Sequence, residues 1–260
     1  LDIVLVLDQS GSMEDDFDGS NTKQAAMKAA VDNFIDAIYE SSMQDGAGGV
    51  YHTLGIVTYG GSSSTLQSRG NIETGYQNYI DAIDDLPNSP SGSTNTGAGM
   101  STANNMLPAA TEGRKSIVVL FTDGVPTTSS SFSNSVANNA ISAANTMKTT
   151  KNATVYSIGI FDDADPTFLG NVDDTFSGGW SGNYSEAEKA NRFMNLVSSN
   201  SASADSLGLE SRTGGAGWFQ YTYEAVADNF DCDTTLGYYK SASNSSELDA
   251  IFEEIAADIS

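Results

Sequence analysis

Histidine and cysteine are almost missing: the 260-residue chain has one of each, His52 and Cys232. A lone thiol forms no disulfide within the chain, and a single histidine excludes a Cys/His zinc site. Any serine–histidine–aspartate triad would hang on His52 alone. Basic residues are scarce as well, 11 Lys and Arg against 34 Asp and Glu, which leaves a net charge of −23. A field of that sign repels phosphate backbones and anionic lipid, which argues against nucleic-acid binding and membrane docking, and it suits cations. The longest purely aliphatic or aromatic runs, Ile3–Leu7 and Ile117–Phe121, are five residues each. A membrane-spanning helix needs about 20. No basic, apolar leader is visible, because the chain opens directly on a strand-like run. It reads as a domain cut from something longer.

What is present is enough for a sizeable core: 39% hydrophobic residues and 25 glycines, near the globular norm. Ile3–Asp8 reads as a buried strand ended by a Gln-Ser-Gly-Ser turn. Ala26, Met27, Ala30, Val31, Phe34, Ile35 and Ile38 recur at helical spacing, so the segment 22–40 is an amphipathic helix. Strands follow at 52–59, 115–122 and 153–160, with an edge strand at 65–69, and helices at 76–86, 98–110, 134–149 and 186–198. A last strand at 236–240 and a helix opened by a capping box, Ser246-Glu-Leu-Asp249, end the chain. Strands alternating with helices predict an α/β fold, a doubly wound, mostly parallel sheet flanked by helices. Residues 1–260 are expected to form one domain, with 161–235 as an insertion or elaborated loop, because the α/β pattern resumes after it. Its aromatic patches, Phe176/Trp180/Tyr184 and Trp218/Phe219/Tyr221/Tyr223, suggest a small satellite core. His52 reads as a surface or strand-end residue, and Cys232, between two aspartates, as a bystander thiol.

Three loops on what should be one end of the sheet carry the chemistry. The first holds Asp8, Ser10 and Ser12 in Asp-Gln-Ser-Gly-Ser; the second holds Thr94 in Gly-Ser-Thr-Asn-Thr-Gly; the third holds Asp123 in Thr-Asp-Gly. Every candidate ligand is an oxygen, and only two of the five are carboxylates. That is hard-cation chemistry, suited to octahedral magnesium that keeps one or more waters.

The three loops, in this order, resemble the metal-ion-dependent adhesion site of the von Willebrand factor A domain family, the integrin I-domain fold. The resemblance implies that Ser10 and Ser12 coordinate Mg²⁺ directly, with Mn²⁺ or Ca²⁺ able to substitute. It implies that Thr94 coordinates directly or through water, and that Asp8 and Asp123 act mainly from one layer further out. A carboxylate from a protein partner would complete the octahedron. The longer run Asp8-Gln-Ser-Gly-Ser-Met-Glu-Asp-Asp16 is similar to integrin beta-chain I-like domains, where paired aspartates help hold a neighbouring calcium. By that likeness Asp15 and Asp16, with Asp18 nearby, are candidates for a second ion, Ca²⁺. The Gly19-Ser20-Asn21 stretch departs from the pattern.

The resemblance further implies an extracellular adhesion module that captures an acidic side chain of a protein ligand. Segments 156–161, 192–200 and 238–248 look like the Gram-positive subset of the family, found in wall-anchored surface proteins and pilus-tip adhesins. The expected setting is therefore a cell wall or pilus, and the expected form a monomeric module of a larger protein. Two other classes remain open: a structural or assembly module whose metal only staples loops, and a magnesium-dependent hydrolase. Against the enzyme stand the lack of a placed general base and of a phosphate-binding Lys or Gly loop.

Overall fold

The computed structural model describes residues 1–45, 50–128, 131–170, 175–177, 186–213, 221–225 and 231–259. Its centre is a six-stranded sheet in the order β3-β2-β1-β4-β5-β9. The strands are β1 (Asp2–Asp8), β2 (Thr53–Tyr59), β3 (Ser63–Asn71), β4 (Ser116–Thr122), β5 (Ala153–Gly159) and β9 (Tyr239–Ser241). All neighbours run parallel except β2 and β3, which form an antiparallel pair with two register shifts. This is the expected doubly wound α/β architecture.

Strand alternation sorts the core into two faces. Ile3, Leu5 and Leu7 of β1 point to one side, where they meet Met27, Val31, Phe34 and Ile38 of α1 (Lys23–Asp45) and Leu248, Phe252 and Ile255 of α6 (Ser245–Ile259). Ile83 of α2 (Ile72–Asp84) joins them. Val4 and Val6 point to the other side, toward Met100 of α3 (Thr96–Met106) and Ile141 and Met147 of α4 (Asn134–Lys151). Phe193, Met194 and Val197 of α5 (Glu186–Val197) complete that face. Both surfaces of β1 are thus buried, which is why its sequence is uninterrupted aliphatic.

The stretch 161–235 is not uniform. Helix α5 packs into the main core, whereas β6 (Thr175–Ser177), β7 (Leu209–Thr213) and β8 (Tyr221–Ala225) make a separate antiparallel sheet in the order β6-β8-β7. That sheet was not foreseen, since its short strands are set among Ser, Asn and Gly without a clean alternation. Trp180, Tyr184, Trp218 and Phe219 lie outside the described residues, as do the side chains of Phe176, Tyr221 and Tyr223, so the satellite core has no structural account.

Three local expectations change. Residues Thr234–Leu236 form a 3-10 turn with Leu236 exposed, and the last strand starts only at Tyr239. The cap of α6 sits one step earlier than Ser246: Asn244 Oδ1 accepts from Glu247 N, and Glu247 Oε2 accepts from Ser243 N. His52 is buried, not surface-lying; its backbone N–H donates to Ser42 Oγ at 2.9 Å, and its Nε2 lies 3.3 Å from Ser41 Oγ. The ring is held by the end of α1, at the end of the sheet opposite Asp8.

Candidate metal centre

Parallel register brings the carboxyl ends of β1, β2 and β4 level. Asp8 ends β1 opposite Tyr59, the last residue of β2, while Leu7 pairs with Phe121, one residue before the end of β4. Asp8 is fully buried and fixed from three directions. Its Oδ1 accepts from the backbone N–H of Ser10 at 2.8 Å, which folds the Ser-Gly-Ser loop back over the strand. Its Oδ2 accepts from Thr122 Oγ1 at 2.8 Å, and Tyr59 Oη lies 3.4 Å away while donating to the Phe121 carbonyl.

Asp123 is the first residue past β4 and is also buried. Both serine hydroxyls turn toward its Oδ1, Ser12 at 3.0 Å and Ser10 at 3.3 Å, with 3.3 Å between the two hydroxyls. Thr94 reaches the same place from the loop before α3. Its backbone N–H donates to Thr127 Oγ1 and its carbonyl accepts from Thr127 N, so the second loop is sewn to the residues after β4. At Gly124 an added Cβ would lie 3.6 Å from Thr94 Oγ1 and 3.7 Å from Ser12 Oγ. The two hydroxyls therefore face one small space floored by glycine. A backbone bond from Gly11 N to Gly92 O joins the first loop to the second.

The structure thus brings together Asp8, Ser10, Ser12, Thr94 and Asp123. Asp15 and Asp16 lie on the chain leaving this cluster. Asp16 Oδ1 accepts from Gly19 N, and Asp18 accepts from Ser20 N and Asn21 N through Oδ1 and from Ser245 N and Oγ through Oδ2. Asp18 so latches the acidic loop to the start of α6, which holds its carboxyl down at about 2. Among the described residues no three His, Cys, Asp or Glu side chains gather as a metal cluster.

Electrostatically the five-residue cluster is short of positive charge. Burial and the neighbouring Asp123 push Asp8 up to about 7 against its hydroxyl and amide partners. Burial also raises Asp123, although the ammonium of Lys23 and the serine hydroxyls act in the opposite sense. Lys23 Nζ stands 3.2 Å from Asp123 Oδ2 and is the cation paired with it. Sequence reasoning missed Lys23, Tyr59 and Thr122. Thr122, directly before Asp123 at a strand end, carried a readable signal; the reach of Lys23 from the first turn of α1 did not.

The donor set fits a hard divalent ion: hydroxyl oxygens from three loops converge beside two buried carboxylates that lack a full complement of positive charge. The sequence profile of the von Willebrand factor type A domain matches residues 2–198. No curated protein matches the chain in sequence. Among solved structures, the pilus adhesin SpaC from Lactobacillus rhamnosus GG is similar over 100% of this chain and 30% of its own, with 20% identity and a TM-score of 0.61. The PilB minor pilin from Streptococcus sanguinis is similar over 99% of this chain and 60% of its own, at 14% identity and a TM-score of 0.60. The vWF domain of the type V pili tip protein Mfa5 from Porphyromonas gingivalis covers 99% of this chain and 94% of its own, at 14% identity and a TM-score of 0.60. These likenesses are of fold, and the chain spans less than two thirds of SpaC and of PilB.

Proposed function

The chain belongs to the von Willebrand factor type A domain family, and from that premise we propose that it is a metal-dependent binding module of a surface or pilus protein. Ser10, Ser12 and Thr94 would hold the ion, with Asp8 and Asp123 supporting from behind. The carrying observation is the convergence of the Ser10, Ser12 and Thr94 hydroxyls beside two buried, like-charged carboxylates.

When bound, Mg²⁺ supplies an open coordination position with an affinity for an acidic side chain of a protein ligand; Mn²⁺ or Ca²⁺ can take its place. The protein's own contribution is orientation. Asp8 fixes the Ser10 amide, Thr122 fixes Asp8, and Asp123 gathers both serine hydroxyls. Neutral hydroxyls in the nearest positions leave a cation under-neutralised and open to an incoming carboxylate. A second ion, Ca²⁺ at Asp15 and Asp16, belongs to the same proposal but has weaker support, since Asp16 already bonds Gly19.

The reading is of a non-enzymatic module. The only histidine, His52, sits at the far end of the sheet, so no imidazole stands near Asp8 or Asp123 as a general base. Among the described residues no helix is long and apolar enough to cross a membrane. The pilus proteins named above, two of them from Lactobacillus and Streptococcus, support a cell-wall or pilus setting within a longer polypeptide.

The test is calorimetric titration of Mg²⁺ into EDTA-stripped protein, with Asp123→Ala and Ser12→Ala as controls. Saturable binding that both substitutions abolish is the expected outcome. Absence of binding in the parent chain overturns the proposal and leaves the loops as solvated turns. Because the net charge of −23 repels an acidic ligand at long range, association with that ligand is expected to speed up as salt is added.

A further inference from the structure

A groove of about 520 Å³ runs between α3 and α4, within the size range of small-ligand sites. Its walls include Asn95, Ser101 and Asn104 on one side and Asn139 and Ser142 on the other. Helix contact explains its shape. At Gly97 an added Cβ would stand 2.9 Å from Val136 O and 3.0 Å from Asn139 Cβ, so the helices touch there. Small side chains further along, Ser101 and Ala143 among them, leave the floor open.

Its chemistry differs from the rest of the surface. In a chain of net charge −23, none of the lining residues is charged and none is aromatic. Several polar groups are also unspent. Asn104 Oδ1 is buried without a hydrogen-bond partner, which is costly unless a ligand or water supplies a donor. Ser101, Asn139 and Ser142 face the groove with side-chain groups not engaged elsewhere among the described residues. The groove also starts beside the metal site, because its first wall residue, Asn95, follows Thr94. From Asn95 to Asn104 the helix rises about 14 Å.

We infer that the groove takes the neutral sugars of an acidic oligosaccharide whose carboxylate occupies the cation site. This rests on the metal-dependent reading above. Hydroxyls and amides that both donate and accept match polyhydroxylated rings. A peptide would look for apolar holes to anchor its side chains, and here the only apolar lining is glycine and alanine. Lack of charge in the groove matters too: it is a path along which an anionic ligand can lie without facing a carboxylate.

The experiment is an NMR amide-shift titration of the Mg²⁺-loaded chain with 3′-sialyllactose, a hyaluronate tetrasaccharide and lactose. At least one acidic saccharide is expected to bind ten-fold or more tighter than lactose, with shifts at Asn104 and Asn139. EDTA, Ser142→Trp and Ser101→Trp should each weaken it ten-fold or more. Both serines are exposed, and both tryptophan variants should bind Mg²⁺ like the parent. The inference is overturned if neither acidic saccharide binds while Mg²⁺ does, or if the tryptophans leave saccharide binding unchanged. It is also overturned if the tryptophans instead cost the affinity of the capped peptide Gly-Ser-Glu-Ser-Gly, which makes the occupant a peptide. Failure of Mg²⁺ itself to bind overturns the underlying reading as well.

Discussion

Strand β1 begins and ends on a buried aspartate, and the two are treated in opposite ways. At its start, Asp2 receives Arg114 Nε at 2.8 Å and Nη2 at 2.9 Å, Arg69 Nη1 at 3.1 Å and Thr53 Oγ1 at 2.6 Å. Burial alone would raise its carboxyl, but Arg114, Thr53 and Arg69 outweigh it and hold Asp2 below the ordinary value. At its end, Asp8 meets no guanidinium. It has hydroxyls, one amide and a second carboxylate nearby, and it rises to about 7. The same residue type on the same strand is neutralised from within at one end and left wanting a cation at the other. The first arrangement is structural; the second is what a binding site looks like before its ion.

The comparison can be broken most severely at Asp2. Asp2→Ala leaves two arginines facing a buried gap and should destabilise the fold by roughly 3–5 kcal/mol, equally with Mg²⁺ and with EDTA, as read by chemical denaturation. A loss that Mg²⁺ repairs would contradict the division of labour. At the other end, Asp123→Ala removes one of two like charges. The metal-free fold should then change by about 1 kcal/mol at most, while Mg²⁺ affinity drops 100-fold or more, about 2.7 kcal/mol. Stability that collapses in EDTA would make Asp123 structural after all. Lys23→Met sharpens the picture: without its ammonium beside Asp123, Mg²⁺ should bind roughly three- to ten-fold tighter by calorimetry, and the melting temperature in EDTA should fall.

The smallest effect tests whether charge shortage is special to the site. Asp32 Oδ1 on α1 is buried without a partner, and burial, Asp84 and Asp36 raise its carboxyl to about 6. A raised acid contributes stability that is complete below its unfolded value, 3.8, and is lost as pH climbs through about 6. Asp32→Asn should therefore raise the melting temperature at pH 7.5 by about 1 °C, the screened effect of a half-exposed group. The gain should vanish at pH 4 and leave Mg²⁺ binding untouched.

The central sheet was legible because burial on both faces forces uninterrupted runs such as Ile3–Leu7 and Ile117–Phe121, which few other environments tolerate. The site was legible for a related reason: Asp8 and Asp123 directly follow or end those runs, so locating the strands located the loops. The less legible parts depend on partners distant in sequence. Nothing near His52 announces that α1 folds over it, and nothing near Lys23 announces Asp123, 100 residues on. Strands β6, β7 and β8 were missed because short strands in Ser- and Asn-rich sequence carry no period to read. Leu236 was taken for a strand residue on its apolar side chain, though Gly237 behind it adopts a left-handed turn at φ 76°.

The edges of the six-stranded sheet have a consequence for crowding. An open strand edge is a template on which a neighbouring molecule can add its own backbone. Here one edge, β9, is only three residues long. The other, β3, is longer but runs against its neighbour and carries two register shifts that spoil a straight ladder. Copies of this domain held close together have little continuous edge to pair through, so close packing need not turn into fibrous aggregation.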